Sequence, residues 1–172
     1  MYRLMAIVCL VLSACTPKIT SDGGAYRAAT APIYSNAVFD FAQIEGTWDQ
    51  VAGFSEPTAP SCLTGGATFS PKGGVLWATY SLCLTGQTVM GEGIVLPSGP
   101  GRFGISGRAD NQDWWVLWVD EGYRTMAIGT PSGEFGFVLN RGKTLPADRL
   151  MAAREVLDFN GYDTKKLVSY GG

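Results

Sequence analysis

The chain has 172 residues, 23 glycines, 12% aromatic residues and 16% charged residues, with a formal net charge of −2. This composition is typical of a single turn-rich all-β domain, and the charge gives no electrostatic reason to expect nucleic acid as a partner. The sequence contains no histidine, which excludes Ser-His-Asp triads, Cys-His dyads and every histidine metal site.

Residues 1–14 have the features of a signal peptide. The apolar run 4–12 is too short to span a bilayer. Residues 12–15 read Leu-Ser-Ala-Cys, which looks like a bacterial lipobox, so we expect a lipid on Cys15 after cleavage. Because Thr16 and not aspartate follows the cysteine, the sorting rule of Gram-negative lipoproteins implies the outer membrane. We expect the domain to face the periplasm, although the sequence leaves exposure at the cell surface open. A plain secretory signal with an incidental cysteine is the alternative.

Residues 15–37 lack hydrophobic periodicity and contain many Ser, Thr, Ala and Gly residues. We therefore expect a lipidated cysteine followed by a flexible tether, with the folded domain at 38–172. A lipid anchor holds a protein to a membrane stably, since each buried methylene contributes about 0.8 kcal/mol. The domain itself then needs no membrane-spanning segment.

The first strand signal begins with Gly46 and Trp48. A large indole at this position can plug one end of a barrel if glycine lets the backbone bend beneath it. Alternation from Trp48 places Gln50, Ala52 and Phe54 on the inner face. The alternative is that Trp48 is an ordinary core tryptophan.

Two cysteines remain once Cys9 leaves with the signal peptide and Cys15 takes lipid. In an oxidising compartment we expect Cys62 and Cys83 to form a disulfide on the outer wall. It would stabilise the domain by about 3 kcal/mol, because it closes a loop of roughly 20 residues. A redox role is not indicated, since no C-x-x-C spacing is present.

The segment between these cysteines contains a Pro-Lys-Gly-Gly turn signal flanked by two strand-like runs. A turn centred between Lys72 and Gly73 would place Cys62 directly opposite Cys83 on neighbouring strands. One face of this hairpin is consistently apolar, as in a sheet with one buried side. That face includes Phe69 and Tyr80.

Further strand-like runs follow at intervals of 8 to 12 residues, with turn signals and a polar turn at 107–111 between them. They lie at 88–96, 102–106, 114–119, 123–130 and 134–141. The pattern predicts an all-β fold, an eight-stranded antiparallel up-and-down barrel, or calyx. Eight strands enclose an interior that can hold one small ligand.

Residues 145–160 differ from the rest of the chain. Pro146 stands where helices begin, Leu150, Ala153 and Leu157 recur at helical spacing, and Asn160 begins a stop signal. The single apolar stripe predicts a C-terminal α-helix packed on the outside of the barrel.

Three short blocks, at 46–48, 119–123 and 137–141, stand in the order and spacing of the three signature blocks of the lipocalin family. The chain resembles a bacterial outer-membrane lipocalin from about residue 39 to 170. The likeness is specific as a set of three blocks and weak in any one of them.

The resemblance implies that Arg141 packs across Trp48 and, with Gly46, closes one end of the barrel. A cation over an indole face contributes about 0.5 to 2 kcal/mol. A solvent-facing arginine at a strand end is the alternative. Asp49, Gln50 and Gly53 depart from the usual family residues, which weakens any transfer of ligand identity.

Alternation and the family resemblance together predict the residues that line the calyx. If Arg141 caps the floor, alternation in the last strand turns Phe135, Phe137 and Leu139 inward. The resemblance places the even-numbered residues of 114–119 inward, although both faces of that run are apolar. The predicted ligand-binding residues are Gln50, Ala52, Phe54, Phe69, Tyr80, Trp114, Val116, Trp118, Phe135, Phe137 and Leu139. Each of them is simply core on the alternative interpretation.

The resemblance implies a membrane-anchored protein that stores or transports one small hydrophobic molecule, such as a fatty acid or a lysophospholipid, in the cell envelope. We expect no catalytic residue, cofactor or metal, because the acidic side chains are scattered over turns and strand ends. The alternatives are a structural or interaction lipoprotein whose barrel is filled by its own aromatic side chains, and a lipocalin-superfamily enzyme that acts on lipid.

Overall fold

The computed structural model describes residues 26–56, 62–63, 65–108 and 113–170. Its β-strands and its α-helix follow one another along the chain. They are β1 (Gly46–Phe54), β2 (Gly66–Lys72), β3 (Val75–Leu84), β4 (Gln87–Gly99), β5 (Arg102–Ile105), β6 (Trp114–Val119), β7 (Thr125–Gly129), β8 (Gly136–Asn140), α1 (Ala147–Phe159) and β9 (Leu167–Ser169).

Each strand from β1 to β8 pairs antiparallel with the next, and β1 also pairs with β8. The sheet is therefore a closed eight-stranded up-and-down barrel, as the sequence predicts. Strand β9 adds to the last residues of β1. We call the end where β1 begins the floor and the opposite end the mouth. Because the strands alternate in direction, the β3–β4 and β7–β8 turns lie at the mouth.

The β2–β3 hairpin turns one residue later than predicted. Lys72 lies opposite Val75, and the two residues between them, Gly73 and Gly74, have φ angles of +60° and +83°. A two-residue turn with positive φ at both positions matches the twist of the flanking strands, and glycine adopts it without strain. The cross-strand pairing moves by two residues, an even number, so every side chain keeps its predicted face.

The disulfide between Cys62 and Cys83 is confirmed, with 5.6 Å between the two Cα atoms. The predicted direct pairing of the two residues on neighbouring strands is wrong, because Cys62 precedes β2. The Gln50 side-chain amide meets the backbone of Cys83 instead: the Cys83 N–H donates to Oε1 at 2.7 Å and Nε2 donates to the Cys83 carbonyl at 2.9 Å. The disulfide therefore joins the segment before β2 to the mouth end of β3.

A β-bulge in β1 reverses the predicted direction of two side chains. The β1–β8 register shifts between Gln50 and Ala52, and one extra residue sends the following side chains to the opposite face. Ala52 and Phe54 therefore lie outside the barrel, and their prediction as calyx residues is wrong. Phe54 packs against Tyr26 and Tyr162, with ring centres 5.5 and 5.0 Å away.

A second bulge does the same in β6. The β6–β7 register shifts between Val116 and Trp118, so Leu117 and Trp118 both belong to the cluster outside the barrel. Val119 packs against the interior instead. The predicted inward position of Trp118 is wrong for this reason.

Helix α1 lies on the outside of the barrel, as predicted. Ala153 and Leu157 are fully buried in one cluster with Ala127 and Val138 of the barrel wall. At the floor end of the helix, Arg149 donates to the buried Thr125 hydroxyl at 2.7 Å. Within the described residues, no helix is long and apolar enough to cross a membrane.

Residues 26–40 run along the outer wall from the mouth to the floor. The backbone N–H of Tyr26 donates to Gly133 in the β7–β8 turn, and that of Asn36 donates to Val116 in β6. The Asp40 N–H then donates to the Tyr123 hydroxyl at 2.7 Å. The described part of the predicted tether therefore lies against the barrel, and the described chain begins at the mouth.

Candidate functional site

The floor of the barrel is built around Trp48, which is fully buried. Its indole N–H donates to the Ile44 carbonyl at 2.8 Å. The guanidinium carbon of Arg141 lies 4.3 Å from the centre of the indole ring. This is the contact that the family resemblance implies, and it covers the indole at the floor.

Arg141 is held in place by two backbone carbonyls. Its Nε donates to Tyr123 at 2.8 Å and its Nη2 donates to Gln43 at 2.9 Å. Gly46 lies beneath the guanidinium, where a Cβ atom would approach Nη1 to 2.8 Å, and its φ of +105° is one that side chains rarely adopt. The floor therefore requires the glycine, the tryptophan and the arginine together.

The β6–β7 turn presents the Tyr123 carbonyl to Arg141, and Asp120 shapes this turn. The Asp120 carboxylate accepts from the backbone N–H groups of Arg124 and Thr125, both at 2.6 Å, and from the Arg124 Nε at 2.7 Å. Burial acts to raise the pKa of Asp120, but the hydrogen bonds from Thr125 and Arg124 and the Arg124 charge outweigh it and hold the pKa below its ordinary value. Asp120 is thus a structural carboxylate.

Aromatic rings from five strands meet in the middle of the barrel. Phe69 lies 6.1 Å from Phe103, and Phe103 lies 5.6 Å from Trp114, between ring centres. Trp114 in turn lies 5.4 Å from Tyr80 and 5.0 Å from Phe137. These contacts reach across the barrel, so the rings form a layer that separates the floor half from the mouth half.

Most of the predicted calyx residues belong to the interior cluster. They are Phe69, Tyr80, Trp114, Val116, Phe135, Phe137 and Leu139. Gln50 is also buried, but both ends of its side-chain amide are bonded to Cys83. The interior cluster also contains several apolar residues that continue the same alternation and that the predicted ligand-binding set leaves out. They include Leu82, Leu84, Val95, Phe103, Met126 and Ile128.

A pocket of about 410 Å³ lies in the wall on the mouth side of this layer. In the described chain, β5 pairs only with residues 95–99 of β4, so the earlier part of β4 has no β5 neighbour. The pocket lies along that edge, between Tyr80, Val89 and Arg108. We call it the mouth pocket.

The side chain of Arg108 sits among three aromatic rings at the mouth pocket. Its guanidinium carbon lies 5.6 Å from the ring centre of Tyr80, 5.4 Å from that of Trp114 and 5.6 Å from that of Phe135. The sequence places Arg108 in a polar turn, and nothing in the local pattern indicates that it turns toward the barrel.

A second pocket, of about 470 Å³, lies across strands β1 to β4. Its rim carries Thr47, Thr68 and Thr79, all exposed, together with Met90 and Glu92. These side chains alternate with the inward-facing residues of their strands. This pocket is therefore a groove on the outer wall.

Comparison with known proteins agrees with this architecture. A family profile described as a lipocalin-like domain matches residues 103–170. Comparison with curated protein sequences finds no match. The fold resembles that of the cockroach allergen Per a 4, with a TM-score of 0.60 and 11% identity over 84% of this chain and 96% of that one.

Two further solved structures are similar. Insecticyanin from the tobacco hornworm Manduca sexta has a TM-score of 0.56 and 17% identity over 87% of each chain. The siderocalin Ex-FABP has a TM-score of 0.56 and 13% identity over 76% of this chain and 95% of that one. The lipocalin-like profile covers the second half of the barrel and the helix, and the solved structures share the fold, so the predicted resemblance to the lipocalin family is confirmed. The bacterial lipoprotein type stays a prediction.

Replacing Arg141 by Ala should destabilise the protein. The change removes two charge-assisted hydrogen bonds and the indole contact, and because the arginine is partly solvated we expect a loss of about 1 to 3 kcal/mol. Equilibrium unfolding in urea, followed by tryptophan fluorescence, measures it. Arg102→Ala is the matched control, since Arg102 lies over Trp115 on the outer wall and should lose less. Equal losses in the two variants would contradict the role of the floor.

Asp120 should make the stability of the protein depend on acidic pH. Because its pKa is lowered in the folded state, its contribution is present above the unfolded-state pKa of about 3.9 and is lost as pH falls through the folded-state pKa. Urea unfolding between about pH 6 and pH 2 should show a steeper acid loss for the wild type than for Asp120→Asn. Parallel pH profiles would count against this assignment.

Proposed function

We propose that the protein binds one small apolar or amphipathic molecule in the mouth half of its barrel and stores or carries it at the outer membrane, to which a lipid on Cys15 anchors it. The observation that carries the proposal is the mouth pocket, whose lining includes Tyr80 and Val89, two side chains that pack with the interior cluster. Its volume of about 410 Å³ falls in the range of about 300 to 1,000 Å³ that is usual for small-molecule pockets.

The ring layer defines which part of the barrel a ligand would occupy. Trp114 and Phe137 are fully buried and in contact, so a ligand entering from the mouth would stop at them. The mouth half also contains Leu82 and Leu84, both buried in the interior cluster. Each methylene buried there would contribute about 0.8 kcal/mol before the cost of association, which suits reversible binding.

The lipocalin fold agrees with a binding role. The siderocalin among the similar structures is described as working through dual ligand specificities. At 13% identity the similarity shows a shared fold, and those ligands are not transferred to this chain. A binding protein needs no catalytic group. Within the described residues, no three Cys, Asp or Glu side chains come together as a metal site.

The start of the described chain supports the anchored form of the proposal. Cys15 lies outside the described residues, and Tyr26, eleven positions later, is bonded to the β7–β8 turn at the mouth. Eleven residues span at most about 35 to 40 Å. A lipid on Cys15 would therefore keep the mouth within that distance of the bilayer, where a membrane amphiphile could be taken up or released.

One observation favours the rival function of a filled, structural barrel. The rings of Phe69, Phe103, Trp114 and Phe137 form continuous contacts across the interior. If the mouth half were also closed to ligands, partners would meet only the outer surface and the rim. The two functions differ in whether a hydrophobic probe binds saturably.

Blocking the mouth pocket should abolish ligand binding. We expect the delipidated protein to bind a fluorescent fatty acid with micromolar affinity and Val89→Trp to weaken binding at least about tenfold, because the indole would occupy the pocket. Val75→Trp is the matched control, since Val75 is partly exposed at the β2–β3 turn, and it should bind like the wild type. A wild type without a saturable signal would establish the filled barrel instead.

Replacing Cys15 by Ser should release the protein from the membrane. Without the thiol no lipid can be attached, so the chain would move from the membrane fraction to the soluble periplasmic fraction of the expressing bacterium. Fractionation followed by immunoblotting measures this. Membrane association that survives the substitution would contradict anchorage through Cys15.

A further inference from the structure

We infer that the mouth pocket recognises the anionic head group of a single-chain amphiphile, a carboxylate or a phosphate, through the guanidinium of Arg108 and the indole N–H of Trp114. This inference rests on the proposed ligand-binding function and assigns the chemical class of the ligand. It depends on two polar features, the Arg108 guanidinium and the Trp114 N–H, that an apolar barrel does not need for its own packing.

The first observation is the position of Arg108. Its guanidinium lines the mouth pocket and lies 5.4 to 5.6 Å from three aromatic ring centres. Contacts with ring faces orient a guanidinium and offset part of the cost of removing it from water. A cation is thereby held in the lining of the mouth pocket, beside the inward-facing Tyr80.

A guanidinium in this position suits an anionic head group. It has five N–H donors in a planar fork that fits the oxygen atoms of a carboxylate or a phosphate. Because the fork has several donors, Arg108 can bind a ligand oxygen in addition to a protein partner. The negative charge of such a head group is opposite to that of the guanidinium, so the two attract.

The second observation is the indole N–H of Trp114. This side chain is fully buried, and its N–H has no hydrogen-bond partner among the residues that the structure describes. Buried donors are nearly always paired, because an unpaired one loses its hydrogen bonds to water without replacement. Since the Trp114 ring lies 5.4 Å from the Arg108 guanidinium carbon, an oxygen of the same head group could accept from both.

The surroundings fix the orientation of the ligand. Val89 lines the mouth pocket, and Leu82, directly opposite it on β3, is buried in the interior cluster. A hydrocarbon tail in the pocket would lie against Val89, on the side of the interior cluster. Glu92 also lines the pocket, but its carboxylate accepts from the Trp77 indole N–H at 3.4 Å, on the outward face of β3 and β4. The head group would therefore lie at Arg108 and the tail in the mouth half.

The test compares three probes with the same 16-carbon chain: hexadecanoate, hexadecyl phosphate and hexadecan-1-ol. Dissociation constants are measured by calorimetry for the wild-type protein and for Arg108→Gln, Arg108→Lys and Trp114→Phe. We expect the wild type to bind at least one anion about tenfold or more tighter than the alcohol. Arg108→Gln should remove that preference while leaving alcohol affinity within about threefold, and Arg108→Lys should keep part of it.

Trp114→Phe keeps an aromatic ring and removes the N–H, so it should weaken anion binding about threefold to tenfold. It also carries the test if Arg108→Gln does not fold. Arg102→Gln is the control, because Arg102 lies over Trp115 on the outer wall, and it should bind all three probes like the wild type. Preference for one anion over the other identifies the head group as a carboxylate or a phosphate.

The outcomes separate this inference from the proposed function. The head-group site would be overturned if the wild type bound all three probes with equal affinity and Arg108→Gln left those affinities unchanged. If Arg108→Gln does not fold, unchanged affinities in Arg108→Lys and Trp114→Phe decide the same point. Hydrophobic ligand binding would remain intact in either case. If no probe binds the wild type, both proposals are overturned.

Discussion

The contact between Arg141 and Trp48 is the constraint on which the rest of the barrel depends. The indole fills the floor, and the guanidinium covers it while bonding to carbonyls of two other segments, the β6–β7 turn and the turn before β1. One side chain thus ties together the first barrel strand, the end of β8 and the β6–β7 turn. Gly46 makes the close approach possible, and Asp120 shapes the turn that accepts the guanidinium.

Closing the floor determines where function can lie. A barrel shut at one end and crossed by the ring layer leaves only its mouth half for a guest molecule. At that half the mouth pocket lies beside β4 and is lined by both apolar and cationic side chains. The mouth half therefore offers an apolar surface and a positive charge. These match the hydrocarbon tail and the anionic head group of a single-chain amphiphile.

Much of this structure could be predicted from the sequence, because strand spacing, the signature blocks and the cysteine pair are local or periodic signals. The errors have specific causes. A bulge adds one residue to a strand and leaves no signal in the composition. Phe54 and Trp118 therefore face outward where strict alternation predicts that they face inward. The Gly73-Gly74 turn moved the hairpin register. Arg108 belongs to a polar turn in the sequence, and only the three-dimensional fold brings it to the Trp114 ring.

The central claim is that a closed, floored barrel receives a ligand in its mouth half. The most direct measurement is a crystal structure of the protein with hexadecanoate bound. The account predicts a hydrocarbon tail inside the barrel on the mouth side of Trp114, a carboxylate beside Arg108, and Arg141 still lying over Trp48. A tail bound in the outer-wall groove beside Thr68 and Thr79, with the interior unchanged, would contradict it.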